Sequence, residues 1–295
     1  MNTSVPIKYT KEQYRNMFTM AVSGIRTIIP FTRPTELPDL KENHKRTLPA
    51  PSDSLVDQYI AWCGAPALRY ANELPPHFCS HWALSLLSQI GARVPYNVLD
   101  ILNQGAHITV NHPIPRGVPL YLNGNMVSVV QEATRVRIHI RITTSTDEYT
   151  DAHILDSFLS VPLKTDKKPA KKKPFEPLPI NEIGTWTAGP SAGVDFARLT
   201  GDFNPIHVFS PLGRLAGFGG CILHGFGFMA RSWEACRNAG LDISDADLRF
   251  TKPLKLPTET LSVHISKTPD AQGRTQLNLK DTTGAIYLAG DFKCK

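Results

Sequence analysis

The sequence predicts an α+β protein built twice, with two antiparallel sheets each curled around a buried helix and joined edge to edge. Three observations carry this. A charged, Pro-rich stretch, Asp166-Lys-Lys-Pro-Ala-Lys-Lys-Lys-Pro-Phe-Glu-Pro-Leu-Pro179, divides the chain. The two sides of it show the same elements in the same order. Each side ends in runs of period-2 alternation, the signature of half-buried strands with one face on a core.

The stretch 166–179 cannot bury apolar area and reads as an extended linker between residues 1–165 and 180–295. Val56-Asp-Gln-Tyr-Ile-Ala-Trp-Cys-Gly64 parallels Val194-Asp-Phe-Ala-Arg-Leu-Thr-Gly201, each reading as a short helix closed by glycine. A longer apolar stretch follows on each side and suits a mostly buried helix, over 78–90 in the first half and about 221–236 in the second. Next, Ile108-Thr-Val-Asn-His-Pro-Ile114 matches Leu248-Arg-Phe-Thr-Lys-Pro-Leu254. Alternating runs come last: 120–124, 134–142 and 154–161 in one half, 261–265, 275–279 and 285–292 in the other. A helix followed by several antiparallel strands is satisfied by a curved sheet wrapping the helix, and two such units side by side make one continuous sheet.

Composition narrows the function. Over 295 residues, 41% are hydrophobic and 20% charged, ordinary for a globular chain. Mean hydropathy is −0.19 and no apolar run approaches the ~20 residues of a spanning helix, so no membrane association is expected. The net charge of +6 falls to about +1 without the five linker lysines, and no nucleic-acid motif accompanies it; no nucleic-acid partner is expected. A modest basic surplus does suit a phosphate-bearing metabolite. The five cysteines, Cys63, Cys79, Cys221, Cys236 and Cys294, are irregularly spaced and form no CxxC pair, which fits a reducing compartment rather than a disulfide frame. Basic residues before a short apolar piece at 17–25 imitate a signal peptide, but Arg26 interrupts it and no cleavage pattern follows. A cytoplasmic location is expected.

The densest chemical signal is Leu199-Thr-Gly-Asp-Phe-Asn-Pro-Ile-His207, followed by Gly219-Gly-Cys-Ile-Leu-His-Gly225. Pro205 pushes Asn204 out of the helical region and fixes a turn. Asp202 and His207 then stand at the two ends of that turn, a carboxylate and an imidazole able to share one water, which is general acid/base equipment. Gly225 falls near the start of the second buried helix, where a free N–H at the positive dipole end can hold a developing oxyanion. Taken singly, Asp-x-Asn-Pro is a common capping turn and a His after Pro is an ordinary structural residue.

Taken together, Gly201-Asp-Phe-Asn-Pro-Ile-His207, with Phe196 upstream and Leu223-His-Gly225 downstream, resembles the hydratase-2 motif of MaoC-like dehydratases, (R)-specific enoyl-thioester hydratases with the hot-dog fold. Arg249-Phe-Thr-Lys-Pro253 looks like the strand after the central helix in that family. The resemblance covers 190–295 well and extends faintly into the first half, as in double hot-dog members with one degenerate copy. It implies that Asp202 and His207 form the catalytic dyad, that Asn204 supports their turn, and that the Gly225 amide contacts the thioester oxygen. Some members place a serine on the central helix against the aspartate; here that position holds Trp233 with Ser232 beside it, and the aspartate's helper is unassigned.

The first half lacks the set. Gly64 or Ala65 stands where Asp202 would, and the helix start Pro75-Pro-His-Phe-Cys-Ser-His81 has no glycine pair. His77, Cys79 and His81 fall short of the four ligands of a structural zinc site, so neither metal nor separate cofactor is expected. A degenerate copy suits a cavity widened for a long acyl chain. Trp62, Trp82, Trp186 and Trp233 read as core, Lys252, Lys255 and Lys267 as solvated or, for one or two of them, as partners of the coenzyme A phosphates, and His224 as a cap or packing residue.

The expected activity is reversible syn hydration of a trans-2-enoyl-CoA to an (R)-3-hydroxyacyl-CoA. The alternatives are dehydration of a 3-hydroxyacyl group on an acyl carrier protein, a non-catalytic acyl-thioester-binding subunit, or a thioesterase, since hot-dog folds host many functions. An acyl-CoA or acyl-carrier-protein substrate is the expected partner. A double hot dog already holds the pairing that single units reach by dimerising, so a monomer or a homodimer is expected.

Overall fold

The structure is a computed structural model and describes residues 4–29, 34–97, 101–165 and 180–295. The expected linker, 166–179, lies outside the described residues.

The first half opens with a 3-10 turn, Ile7–Gln13, and helix α1, Tyr14–Ile28. Strand β1 is Asn43–Leu48 and α2 is Asp53–Cys63. A 3-10 turn, Pro76–Phe78, leads into α3, Cys79–Trp82, and α4, Leu84–Gly91. Four strands follow: β2 Leu102–Val110, β3 Leu120–Gln131, β4 Arg135–Ser145 and β5 His153–Pro162. The second half repeats the plan with β6 Ile180–Trp186, α5 Ala192–Thr200, α6 Pro205–Val208, α7 Ser210–Leu215 and β7 Ile222–Leu223. It closes with α8 Gly225–Asn238, β8 Ile243–Phe250, β9 Leu254–Lys255, β10 Leu261–Ser266, β11 Thr275–Asp281 and β12 Ile286–Cys294.

Ten strands form one antiparallel sheet in the order β1-β3-β4-β5-β2-β8-β12-β11-β10-β6. Read inward from either edge, the two halves list equivalent strands, and β2 meets β8 in the middle with Ile108 opposite Ala246. Alternation sets the faces. In β4, Val136, Ile138, Ile140 and Ile142 are buried against the helices, while Arg135, Arg137, His139 and Arg141 point to the outer face. The α8 helix is apolar on most of its girth, burying Phe228, Met229, Trp233 and Cys236, as a helix enclosed by a sheet must. All five cysteines are free. Trp82 and Trp233 are core, whereas Trp62 and Trp186 are half-buried on either side of the Arg231 guanidinium, 4.3 and 5.4 Å from their ring centres. Lys252, Lys255 and Lys267 are exposed.

Two expectations shift. The helix expected over 78–90 is broken at Ala83 into α3 and α4. The one expected from about 221 starts at Gly225, because Ile222 and Leu223 are drawn into a ladder with Lys255 and Leu254. Strands β1 and β6, at the two edges, carry no apolar alternation (Asn43-His-Lys-Arg-Thr-Leu48; Ile180-Asn-Glu-Ile-Gly-Thr-Trp186), which is why the pattern hid them. The apolar piece at 17–25 lies within α1. No described helix is long and apolar enough to cross a membrane.

The halves are braced by polar groups as well as by the sheet. Glu234 of α8 is 1% exposed and accepts from Arg69 (2.6 Å), Tyr70 (2.6 Å) and His77 (2.8 Å), all from the first half. A buried carboxylate is tolerated only when partnered this fully. The other ring nitrogen of His77 meets the Tyr59 hydroxyl at 2.9 Å, so both of its nitrogens are committed. The N-terminal segment crosses to the second half: the Val5 N–H donates to Asp195, the Gln13 amide to the Leu199 carbonyl, and the Asn16 amide to the Thr200 carbonyl as well as to that of His81 in its own half.

Candidate active site

The site is built on the end of α5. Gly201 closes the helix at φ 86°, a left-handed conformation that favours glycine, and a side chain there would also run into Asn16, 2.6 Å from an ideal Cβ. The chain then turns sharply. Asp202 Oδ1 accepts the Asn204 N–H at 3.3 Å, and Asn204 caps α6 by accepting the Ile206 N–H at 3.4 Å. Pro205 occupies the first helical position, where its missing N–H costs nothing. One helical turn after Asn204, His207 points its Nδ1 at the Ile222 carbonyl, 2.8 Å away. A carbonyl only accepts, so Nδ1 carries the proton and the neutral ring keeps its lone pair on Nε2.

This geometry brings Asp202, His207 and His224 together: each offers an oxygen or nitrogen within 4.8 Å of the other two. His224 is 2% exposed, and its Nε2–H donates to the Asp202 carbonyl at 2.8 Å with the carboxylate 3.9 Å away. Its ring stacks on that of His207. Burial pushes the Asp202 carboxyl above its usual range, opposed by the His207 ring and the Asn204 N–H. Burial lowers the His207 imidazole, opposed by Asp202, and holds His224 well below its usual value, with His207 adding to the effect. Burial thus favours the neutral form of both rings and of the carboxyl.

The three donors have the composition of a two-histidine, one-carboxylate metal set. Two features oppose that use. His224 spends Nε2 on a backbone carbonyl, and imidazoles stacked face to face do not splay toward a common ion.

Gly225 is the first residue of α8, so its N–H has no intrahelical partner. The ring of Phe250 lies directly against its Cα, where a Cβ would collide. Ser232 donates to the Phe228 carbonyl and Trp233 packs on His77; neither approaches Asp202. What steadies the aspartate is the Asn204 N–H on one carboxylate oxygen and His224 on its backbone. Spacing gave no sign of the His224 contact, which closes across 22 residues.

A cavity of about 180 Å³ begins at this turn, with Asp202, Asn204, Thr200, Phe196 and Phe226 at one part of its wall. His207 and Gly225 are not among its lining residues. The remainder comes from the first half: Met20 and Ser23 of α1, Leu84, Leu87, Ser88 and Gly91 of α4, and Ser157 and Leu159 of β5. On the outer face, a groove of about 560 Å³ is lined by Arg135, Arg137, His139 and Arg249, with Glu132 the one acidic residue, and ends at Phe250. Phe250 meets Phe226 edge-on at 6.0 Å, so this aromatic pair stands between groove and cavity, above Gly225.

Comparison with known proteins agrees with this architecture. A MaoC-like domain is matched over residues 164–287. Among solved structures, HtdX of Mycobacterium tuberculosis superposes with a TM-score of 0.68 at 20% identity, covering 85% of this chain and all of that one (100%). A MaoC-like dehydratase from Phytophthora capsici gives 0.69 at 16% identity, covering 87% and 96%. A M. tuberculosis protein described as having a double hotdog fold gives 0.57 at 14% identity, covering 86% and 96%. No curated protein matches by sequence. The chain has the double hot-dog fold, and residues 164–287, in its second half, match the MaoC-like domain.

Proposed function

We propose that the protein is an (R)-specific enoyl-thioester hydratase, catalysing the reversible addition of water to a trans-2-enoyl thioester. The observation that carries this reading is the closeness of Asp202, on the wall of a cavity, to His207, whose Nδ1 proton is held by the Ile222 carbonyl so that Nε2 keeps its lone pair. The helix N-terminal amide of Gly225 opens α8, three elements on from the α6 that carries His207.

The thioester carbonyl binds the Gly225 N–H and becomes electron-poor, so the conjugated C3 accepts a nucleophile. Negative charge grows on the thioester oxygen, where the α8 N-terminus stabilises it. Water held between Asp202 and His207 attacks C3. One member of the dyad takes the water's proton and the other delivers a proton to C2. Both stand on one turn, so addition is syn, and by family likeness the product is (R). Neither a metal nor a redox group enters any step.

The acyl chain lies in the cavity shared with the first half, which supports the reading of that half as a degenerate copy that widens the pocket. The outer groove, three arginines against one glutamate, suits the phosphates of the carrier arm, with Phe226 and Phe250 parting to admit the thioester. Coenzyme A and acyl carrier protein present the same phosphopantetheine chemistry, so both are substrates under this reading. One assay separates the classes. Loss of the enoyl absorbance of crotonyl-CoA without thiol release marks a hydratase, and thiol release marks a thioesterase. Neither signal, together with measurable acyl-CoA binding, marks a non-catalytic subunit and overturns the proposal.

A further inference from the structure

Strand β5 breaks its own pattern inside the cavity. Its inward positions run Leu155, Ser157, Leu159, and across the ladder Ser157 faces Ala106 on one side and Ile140 on the other. Those neighbours are fully buried and apolar. Ser157 is 1% exposed, its hydroxyl finds no hydrogen-bond partner among the described residues, and it lines the cavity that begins at Asp202. A buried hydroxyl without a partner is costly, and alanine would fill the same space at no such cost. The same first-half wall holds Ser23, Ser80, Ser88 and Asn103 among Leu84, Leu87 and Leu159, and of its polar side chains Ser157 is the one whose buried oxygen has no partner among the described residues. An all-apolar chain would leave Ser157 unsatisfied; a chain bearing one oxygen at its depth would not.

We infer that the natural acyl group is an oxygenated chain, carrying a hydroxyl or keto group distal to the thioester that hydrogen-bonds to Ser157. This rests on the cavity taking the acyl chain of an acyl thioester, as proposed above. The hydroxyl acts as donor to a keto oxygen and as either partner to an alcohol. It touches the distal chain and not the reacting atoms, so it sets specificity rather than chemistry. A site that hydrogen-bonds a substrate oxygen rejects the analogue lacking it, because the protein group is then left unpaired.

The test is binding of decanoyl-CoA and of its isomeric monohydroxy derivatives, one hydroxyl per isomer, measured by calorimetry on the full chain and on Ser157→Ala. The expected result is that at least one isomer binds the native protein about tenfold more tightly than decanoyl-CoA, the scale of one neutral hydrogen bond. Ser157→Ala erases that ratio by weakening the hydroxylated ligand and not the plain one. Ser157→Cys, similar in size and a weak donor, gives an intermediate ratio and controls for altered packing. Binding of all chains with no preferred isomer overturns the inference and leaves the acyl-thioester reading standing, as does a preference that survives Ser157→Ala. Failure of every chain to bind overturns both.

Discussion

The imidazole of His224 lies against that of His207, ring centres 3.8 Å apart with 28° between their planes, and its Nε2–H holds the Asp202 carbonyl at 2.8 Å. One side chain thus fixes both members of the proposed dyad. It presses the His207 ring onto its hydrogen bond with Ile222 and pins the backbone from which the carboxylate projects. His224→Ala is expected to lower kcat about tenfold or more with little change in KM, since the substrate contacts survive while their alignment does not. His224→Gln keeps an amide N–H toward the carbonyl and should recover part of the loss. Removing the ring also admits water and relieves the burial that lowers the His207 pKa, so the pH profile of the alanine variant should move upward. An unmoved profile would show that His224 only fills space.

Asp202 carries a second consequence. Burial raises its carboxyl, so the folded state holds the proton more tightly than the unfolded chain does. The ionised form therefore weakens the fold above the usual carboxylate range, and the penalty disappears as the pH falls below it. Asp202→Asn should lose ~10²–10⁴-fold in turnover, the usual contribution of positioned acid/base groups, and yet melt at a higher temperature than the native protein at pH 7. The gain in Tm should shrink toward pH 4. Intact turnover would remove Asp202 from the mechanism, and a lower Tm would remove the burial argument.

The pair titrates over a compressed interval, with the carboxyl above its ordinary ~3.9 and the imidazole below its ordinary ~6.5. A dyad that gives one proton and takes another works when it holds one proton between its members. A bell-shaped kcat/KM profile is expected, with its maximum on the acid side of about pH 6.5. Initial rates across buffers of constant ionic strength measure it, and a maximum above neutrality would contradict the assignment. EDTA treatment should leave the rate unchanged. A loss restored by one divalent ion would instead make Asp202, His207 and His224 a metal site.

The fold was legible where physics writes it locally. The alternation of Arg135-Val-Arg-Ile-His-Ile-Arg-Ile142 could only be a strand with one dry face, and Gly64 and Gly201 both end helices at φ 86°. The edge strands β1 and β6 were not legible, because an edge with little core to bury need not alternate. The onset of α8 at Gly225 rather than about residue 221 turns on a long-range pairing, Leu223 with Leu254, that no local rule contains. In the site, the Asp202–Asn204–His207 turn follows from Pro205 and short-range capping. The contact of His224, and the share of the cavity wall taken from α1 and α4, follow only from how the two halves pack.

Buried histidines set the acid limit of the fold. His153 is 2% exposed beside Trp82, and burial holds its pKa down at about 4. His81 is likewise pushed down to about 4 by burial. In the unfolded chain both take up protons near pH 6.5, while the folded protein refuses them until about pH 4. The folded pKa lies below the unfolded one, so stability is full above about pH 6.5 and drains away as the pH falls between these limits. Each residue costs on the order of 3 kcal/mol by the acid end, and a typical domain has only ~5–15 kcal/mol to lose. His207 and His224 add to the loss in the same direction. The carboxylates held low by ion pairs, Asp156 and Asp245, do not enter until lower pH. Denaturant midpoints should therefore decline steadily from pH 7 to pH 4.5. His153→Leu, which fills the position without a titrating group, should flatten part of that decline while leaving the pH 7 midpoint equal or higher. An identical slope in the variant would place the acid sensitivity elsewhere in the chain.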